Sequence, residues 1–446
     1  MKDLAKWLDV NQLLSVAEDI LKKAKSYQVD QTEVSIETHK GFSVSARAGD
    51  VETVEYNQDK SIEITVLYGQ RSGSASLTDL SSQAINDAIE AACHIAKFTD
   101  HDPAAGLAEA NELAFGYPQL EMACPWSISV EKAIAFACQC EQEAIAQDSR
   151  IMVAEDTKVA TFEALDIYAN SHGFIGHYPS TMHEISCVLV AKEGDEMQRD
   201  YSYSIAVDPK HLASLSTIAQ EAAKKAVSRL GARRLPSTKA PVLFAAEEAR
   251  GLLGHFAAAI QGSSLYRKSS FLLDQLGQQI FPSFIRIKEQ PHLPYAFGTV
   301  PFDEDGVLTR ENLYIDGGFL RQYALGVYAA RKLGMKSTGN AGGMHNLSIE
   351  SPTLSFDQLL KTMGRGLLVT ELMGQGVNLV TGHYSRGVGG YWVENGEIQF
   401  PVHEMTIASN LREMFGNIIA VGNDVDVRGN IRTGSILITE MMIAGT

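Results

Sequence analysis

The sequence is short of the residues that cross-link a chain and of the long apolar runs that anchor one in a membrane. Its five cysteines, Cys93, Cys124, Cys138, Cys140 and Cys187, are odd in number and include no CxxC. That excludes a complete disulfide framework and a zinc knuckle. Cys138 and Cys140 fall on different faces of a predicted helix, and all five read as buried free thiols. No run of about 18 apolar residues occurs, so no membrane-spanning helix is expected. The opening MKDLAKWLDV is charged and lacks the apolar core of a signal peptide. A reducing cytoplasm is the expected location. Basic residues are scarce too: 38 Lys and Arg against 54 Asp and Glu give a formal net charge of −16. Such a surface repels phosphate backbones, so nucleic acid is not an expected partner.

Several catalytic signatures are missing as well. There is no GxSxG elbow for a serine hydrolase. No GxxxxGK[ST] occurs, and no GxGxxG joins a strand to a helix, so the many glycines do not imply phosphate binding. His183-Glu184 and His403-Glu404 each lack a second histidine one turn on, and both pairs read as exposed strand residues. His172, in Asn170-Ser171-His172-Gly173, reads as a turn residue.

What is present is an ordinary globular composition, 45% hydrophobic and 21% charged over 446 residues, enough for two or three domains. Apolar residues at helical spacing predict a helix over 11–26. The period then becomes two at Val34 and Ile36, at Phe42, Val44 and Ala46, and from Ile62 to Tyr68, which predicts half-buried strands. A second helix carries Ile85, Ala88, Ile89, Ala92 and Ile95 on one side. Residues 99–126 read as a meandering connection, followed by a helix (Val130 to Ile145) and alternating strands from Ile151 to Val207. Asp208 and Pro209 predict a helix start, continued by Leu212, Leu215, Ile218, Ala222 and Ala226 and stopped by Gly231. Arg233 to Thr238 is the expected domain boundary. The expected fold is α+β, with an N-terminal helix-on-sheet lobe over 1–232 (sub-units 1–98 and 124–232). A β-rich, barrel-like domain follows over 238–446. Of 37 glycines, 27 lie from Gly251 onward, mostly assigned to turns of a closed or strongly bent antiparallel sheet. Asn395-Gly396 predicts a tight hairpin turn.

The most enzyme-like stretch is Pro241 to Gly262, a buried strand leading into a helix with Glu247 and Glu248 in its first turn and His255 further along. A zinc hydrolase helix needs two histidines about one turn apart. Here His255 follows Glu248 by seven residues, roughly 10.5 Å along the axis, too far to share one ion. Read by itself, this helix holds no metal. Elsewhere His345, His383, Tyr384 and Arg386 sit in or beside glycine-rich segments. His383, Tyr384 and Arg386 are the candidate lining of a groove that accepts a peptide backbone.

RLGARRLPSTKAPVLF (229–244), the EEARGLLGH helix, GQGVNLVTGHYSRGVGGYWVENGEIQFPVHEMTIASN (374–410) and MFGNIIAVGND (414–424) together resemble the TldD/PmbA family, in its PmbA or TldE branch. The resemblance runs over nearly the whole chain. It implies a metallopeptidase acting as a TldD–TldE heterodimer on unfolded peptides. The catalytic branch carries His-Glu-x-x-x-His on this helix and a cysteine as third zinc ligand. By that correspondence Glu247 and Leu252 stand at the histidines, Glu248 at the general base and Phe415 at the cysteine. The resemblance therefore implies a subunit without zinc of its own, with zinc on a TldD-like partner and peptide as substrate. Three other readings stay open: an active peptidase acting alone, a homodimer of the isolated chain, and a binding protein that modulates DNA gyrase.

Overall fold

The computed structural model describes residues 10–351 and 353–445; most of the charged opening segment lies outside them. The N-terminal lobe runs α1 (Val10–Lys25), β1 (Gln31–Arg47), β2 (Asp50–Tyr68), β3 (Arg71–Leu77), α2 (Ser82–Phe98), α3 (Val130–Ile145), β4 (Ile151–Asn170), β5 (Ile175–Glu193), β6 (Glu196–Ala206) and α4 (Leu215–Ser228). Its six strands form one antiparallel sheet in the order β3-β2-β1-β4-β5-β6. One sheet therefore serves both sub-units, because β1 pairs with β4 over 33–46. Even residues of β1 (Val34, Ile36, Val44, Ala46) and odd residues of β4 (Val159, Leu165, Ile167) are buried on one face. All four helices cover that face, α1 and α2 over one half and α3 and α4 over the other. Ser81, Ser129 and Ser214 cap α2, α3 and α4 by accepting backbone N–H groups, as N-cap hydroxyls do.

Several local expectations need correction. Phe42, Val44 and Ala46 continue the strand begun at Val34 rather than starting another. Ile95 is 46% exposed, and Cys93 and Ala96 complete the buried face of α2 instead. Asp208 caps only a short 3-10 turn, Pro209–His211, and α4 begins afresh under Ser214. His183 is fully buried rather than exposed, its ring nitrogens 2.9 Å from Thr161 Oγ1 and the Cys124 carbonyl. All five cysteines are free, but Cys124 and Cys138 are only half-buried.

The C-terminal lobe opens with β7 (Thr238–Phe244), α5 (Ala246–Ile260) and α6 (Gly262–Tyr266). It continues through β8 (Arg286–Glu289), β9 (Asn312–Asp316), β10 (Phe319–Leu320), α7 (Val327–Leu333), β11 (Leu347–Glu350), β12 (Thr353–Leu354) and α8 (Phe356–Met363). It ends with β13 (Gly366–Met373), β14 (His383–Glu394), β15 (Glu397–Asn410), α9 (Leu411–Gly416), β16 (Ile418–Gly422), β17 (Ile431–Arg432) and β18 (Ile436–Ala444). Strands β7, β13, β14, β15 and β18 pair in a ring that closes where β18 meets β7. The barrel is not wholly antiparallel, since β7 and β13 run parallel. Five more strands form a second sheet, β10-β9-β8-β11-β17. Asn395 and Gly396, at φ 54° and 76°, make the turn between β14 and β15, the mirror-image geometry that suits hairpin twist. Gly387 to Gly390 lie within β14 rather than in a turn. A Cβ on Gly390 would sit 1.9 Å from the Leu368 carbonyl oxygen, so glycine there lets the barrel strands close.

The lobes meet along an extended seam. Phe302 packs edge-on against Tyr117, Phe174 and Tyr178 of the first lobe. Arg331 donates to the Gly106 and Leu107 carbonyls at 2.8 and 2.7 Å, and Arg229 bridges Asp200 and Glu371. No helix among the described residues is long and apolar enough to cross a membrane.

Candidate functional site

Strand β7 is fully buried at Val242, Leu243 and Phe244 and delivers the chain into α5 at the seam. Ala245 caps α5 without a side-chain hydrogen bond. The carboxylates of Glu247 and Glu248 instead complement the positive helix end. The helix has three faces. Ala249, Leu252, Leu253, Phe256 and Ile260 enter the core.

A second face turns to the first lobe. Glu247 lies 3.3 Å from both Lys225 Nζ and Arg428 Nη2, with Tyr201 Oη at 3.4 Å. Arg250 donates to the Arg428 carbonyl at 2.9 Å and to Tyr203 Oη at 3.1 Å, and pairs with Asp426. The Arg428 guanidinium lies 4.2 Å from the centre of the Tyr203 ring, within cation–π range. Asp426 accepts from the same guanidinium at 2.8 and 3.0 Å. The result is an electrostatic clamp between the lobes. Its members Tyr203, Asp426 and Arg428 carry no motif in the sequence.

The third face holds Glu248 and His255. The His255 ring meets Tyr384 edge-on with centroids 6.0 Å apart. Burial first, and then the charge of Glu247, push the Glu248 carboxyl up to about 6 against the pull of Arg386. Burial and Arg386 push His255 down. Burial raises the Tyr384 hydroxyl. A carboxyl titrating near 6 beside a guanidinium can accept a proton or an N–H from an extended chain. Along β14 exposure alternates, so Tyr384 and Arg386 share the face toward α5 while His383 points the other way. The three groove candidates therefore do not form one wall. Tyr384 is 2% exposed and belongs to the core, so on the side toward α5 Arg386, half-buried, is the more accessible of the two. At Gly376, where a Cβ would lie 1.8 Å from the Ser385 carbonyl oxygen, the close backbone is the chain's own.

His345 lies elsewhere, at a buried polar network that no sequence motif marks. Glu289 there accepts from Asn312 and Asn340 side chains, Tyr314 Oη and the His345 N–H. Those four donors satisfy a carboxylate that has no exposure.

Zinc does not fit this donor set. Leu252 and Phe415 are 2% and 1% exposed within the apolar core, and neither can ligate a metal. Phe415 stacks on Phe281 with centroids 4.9 Å apart and contacts Phe256 and Phe271. Glu247 is already held by two cations. Among the described residues no three His, Cys, Asp or Glu side chains converge so as to hold a metal.

A three-part metallopeptidase-type architecture is matched along the chain. Residues 32–96 match the PmbA/TldA metallopeptidase domain 1, residues 124–230 its central domain and residues 237–445 its C-terminal domain. The chain belongs to the PmbA/TldD metallopeptidase family. Within it the likeness is to the PmbA, or TldE, branch. The chain is 47% identical over 434 residues to Metalloprotease PmbA of Escherichia coli O157:H7, covering 97% of this chain and 96% of that one. It is 44% identical over 442 residues to a PmbA homologue of Haemophilus influenzae, covering 97% and 98%. Among solved structures, a Bacteroides thetaiotaomicron protein described as a candidate modulator of DNA gyrase superposes with TM-score 0.92 at 25% identity, covering 98% of this chain and all of that one. TldE from Thermococcus kodakarensis has the same fold, with TM-score 0.84 at 20% identity over 96% of this chain and all of that one.

Proposed function

We propose that this chain is the non-catalytic subunit of a cytoplasmic TldD/TldE-type metalloprotease complex. It pairs with a zinc-bearing TldD-like relative and forms part of the wall of a chamber for extended peptides. The observation that carries this reading is the fate of the three ligand positions. Two are filled by buried apolar side chains, and the third by a carboxylate engaged across the lobe seam. Glu248 keeps the place of the general base without a metal beside it. Arg386 then serves as a groove contact, donating to substrate backbone.

The test is to purify the chain without chelator, measure its zinc, and follow cleavage of an unstructured peptide with and without a TldD-like relative. The chain should be metal-poor and inactive alone, and should accelerate cleavage by the relative. Stoichiometric zinc removed by Glu248→Ala would favour an active peptidase. Equal cleavage with and without the chain would favour the gyrase-modulator reading instead.

A further inference from the structure

Strand β2 is much longer than the strand outside it. β3 pairs only with Ile62 to Tyr68, so among the described residues nothing pairs with the outer edge from Thr53 to Ser61. Nine residues of open edge extend for roughly 30 Å at ~3.4 Å per residue. Residues 50–59 are exposed throughout, with Tyr56 at 71% and Val54 at 39%. Natural sheets blunt such edges with proline, bulges, short strands or charge of a kind that repels pairing. This edge has no proline, and its register against β1 is unbroken from Thr53 to Leu67.

The two faces of this edge differ. Even residues continue the helix-covered face of Ile62 and Ile64, with Lys60 half-buried beside them and Val54, Tyr56 and Gln58 exposed. Val54 and Tyr56 therefore stand open there, with Tyr56 resting on Phe42 at 6.1 Å between ring centroids. Odd residues carry Glu55 and Asp59 and no cation. Two copies paired about a two-fold axis keep like faces together, so self-pairing would set four carboxylates side by side. Like charges across a strand pair are unfavourable. An added strand that alternates basic and apolar residues meets both faces: its cations lie against Glu55 and Asp59, its apolar side chains against Val54 and Tyr56.

We infer that the outer edge of β2 over 53–61 is a docking edge for a basic, amphipathic strand supplied by a different protein chain. Main-chain hydrogen bonds to the open edge give affinity, and the acidic odd face selects the partner and rejects a second copy. This goes beyond the proposed peptidase pairing, because it fixes a surface and a chemistry independent of zinc or cleavage.

The test uses an eight-residue peptide of alternating lysine and valine, N-methylated on its outward amides so that it cannot stack on itself. A glutamate–valine peptide of the same design is the control. Hydrogen–deuterium exchange of the intact chain should slow within 53–61 by about tenfold or more with the lysine peptide, and stay unchanged with the control. Glu55→Lys with Asp59→Lys, both exposed positions, should reverse that preference. The inference is overturned if neither peptide protects 53–61, if both protect it equally, or if the unmixed chain dimerises with 53–61 protected. Because no cleavage is read, its outcome is separate from that of the peptidase reading.

Discussion

Glu247 stands where the family resemblance puts a zinc-binding histidine, and its carboxylate is instead shared between Arg428 and Lys225. The two partners should not count equally. Lys225 is 40% exposed and screened by solvent, whereas Arg428 is 25% exposed and fixed by Asp426 and the Tyr203 ring. Exposed pairs contribute roughly 0–1 kcal/mol, and hydrogen bonds to charged groups about 1.5–3 kcal/mol. Glu247→Ala should therefore lower stability by about 1–3 kcal/mol in urea unfolding. A double-mutant cycle should give the larger coupling with Arg428→Ala and little with Lys225→Ala. Equal coupling to both would deny Arg428 its anchoring part. Phe415 stands where the resemblance puts a cysteine, and its ring contacts three other aromatic rings. Phe415→Ala should cost about 3–5 kcal/mol, far more than an idle remnant of a lost site would.

At the scale of elements, α5 was legible as a helix, because its apolar period and its first-turn carboxylates are local properties of sequence. What Glu247 does there was not legible, since Tyr203, Asp426 and Arg428 reach Glu247 only through the docking of lobes. The same limit explains His183, whose strand was foreseen but whose burial depends on the Cys124 segment laid across it. It also explains β14: alternation could have separated His383 from Tyr384 and Arg386, but glycines at 387–390 hide the period. A titration on α5 follows from the raised Glu248 carboxyl. The unfolded carboxyl ionises near the usual 4.5 and the folded one near 6. The folded form is therefore disfavoured progressively as pH rises through that window, and fully above it. Glu248→Gln should leave stability unchanged near pH 4.5 and raise it at pH 7.5. Parallel curves for variant and wild type would show that Glu248 is not the group responsible. Arg386, whose charge acts on Glu248, should affect substrate binding more than turnover. In the assembled complex Arg386→Ala should raise KM with kcat little changed. A fall in kcat at constant KM would place it at the chemistry instead.

The whole molecule depends on a seam where acidic groups from both lobes are crowded together. Glu33, on β1, accepts from Tyr168 Oη at 2.8 Å. Burial pushes its carboxyl up to about 7, with Asp305 and Glu63 adding to the rise and the Tyr168 bond opposing it. Asp305 comes from the second lobe, raised by burial although the Val327 N–H and Arg331 counter this. It lies in the turn that inserts Phe302 among first-lobe aromatics, and Ala114 N–H donates to the Gly306 carbonyl beside it at 2.9 Å. Below about pH 4.5 Glu33 is protonated whether the chain is folded or not, and contributes no pH dependence. Between about 4.5 and 7 the unfolded chain ionises first, so rising pH favours unfolding; above 7 the penalty is complete. Because the crowded charge lies between lobes, the weakening should appear first as local opening of the seam rather than as loss of either core. Amide exchange in 302–307 should therefore quicken from pH 6 to pH 8, once corrected for intrinsic rates, while exchange in β4 stays unchanged. Glu33→Gln keeps an acceptor for Tyr168 but cannot ionise, and should abolish that acceleration. If the glutamine variant opens with the same pH dependence as wild type, Glu33 does not control the seam, and Asp305 and its neighbours become the groups to change next.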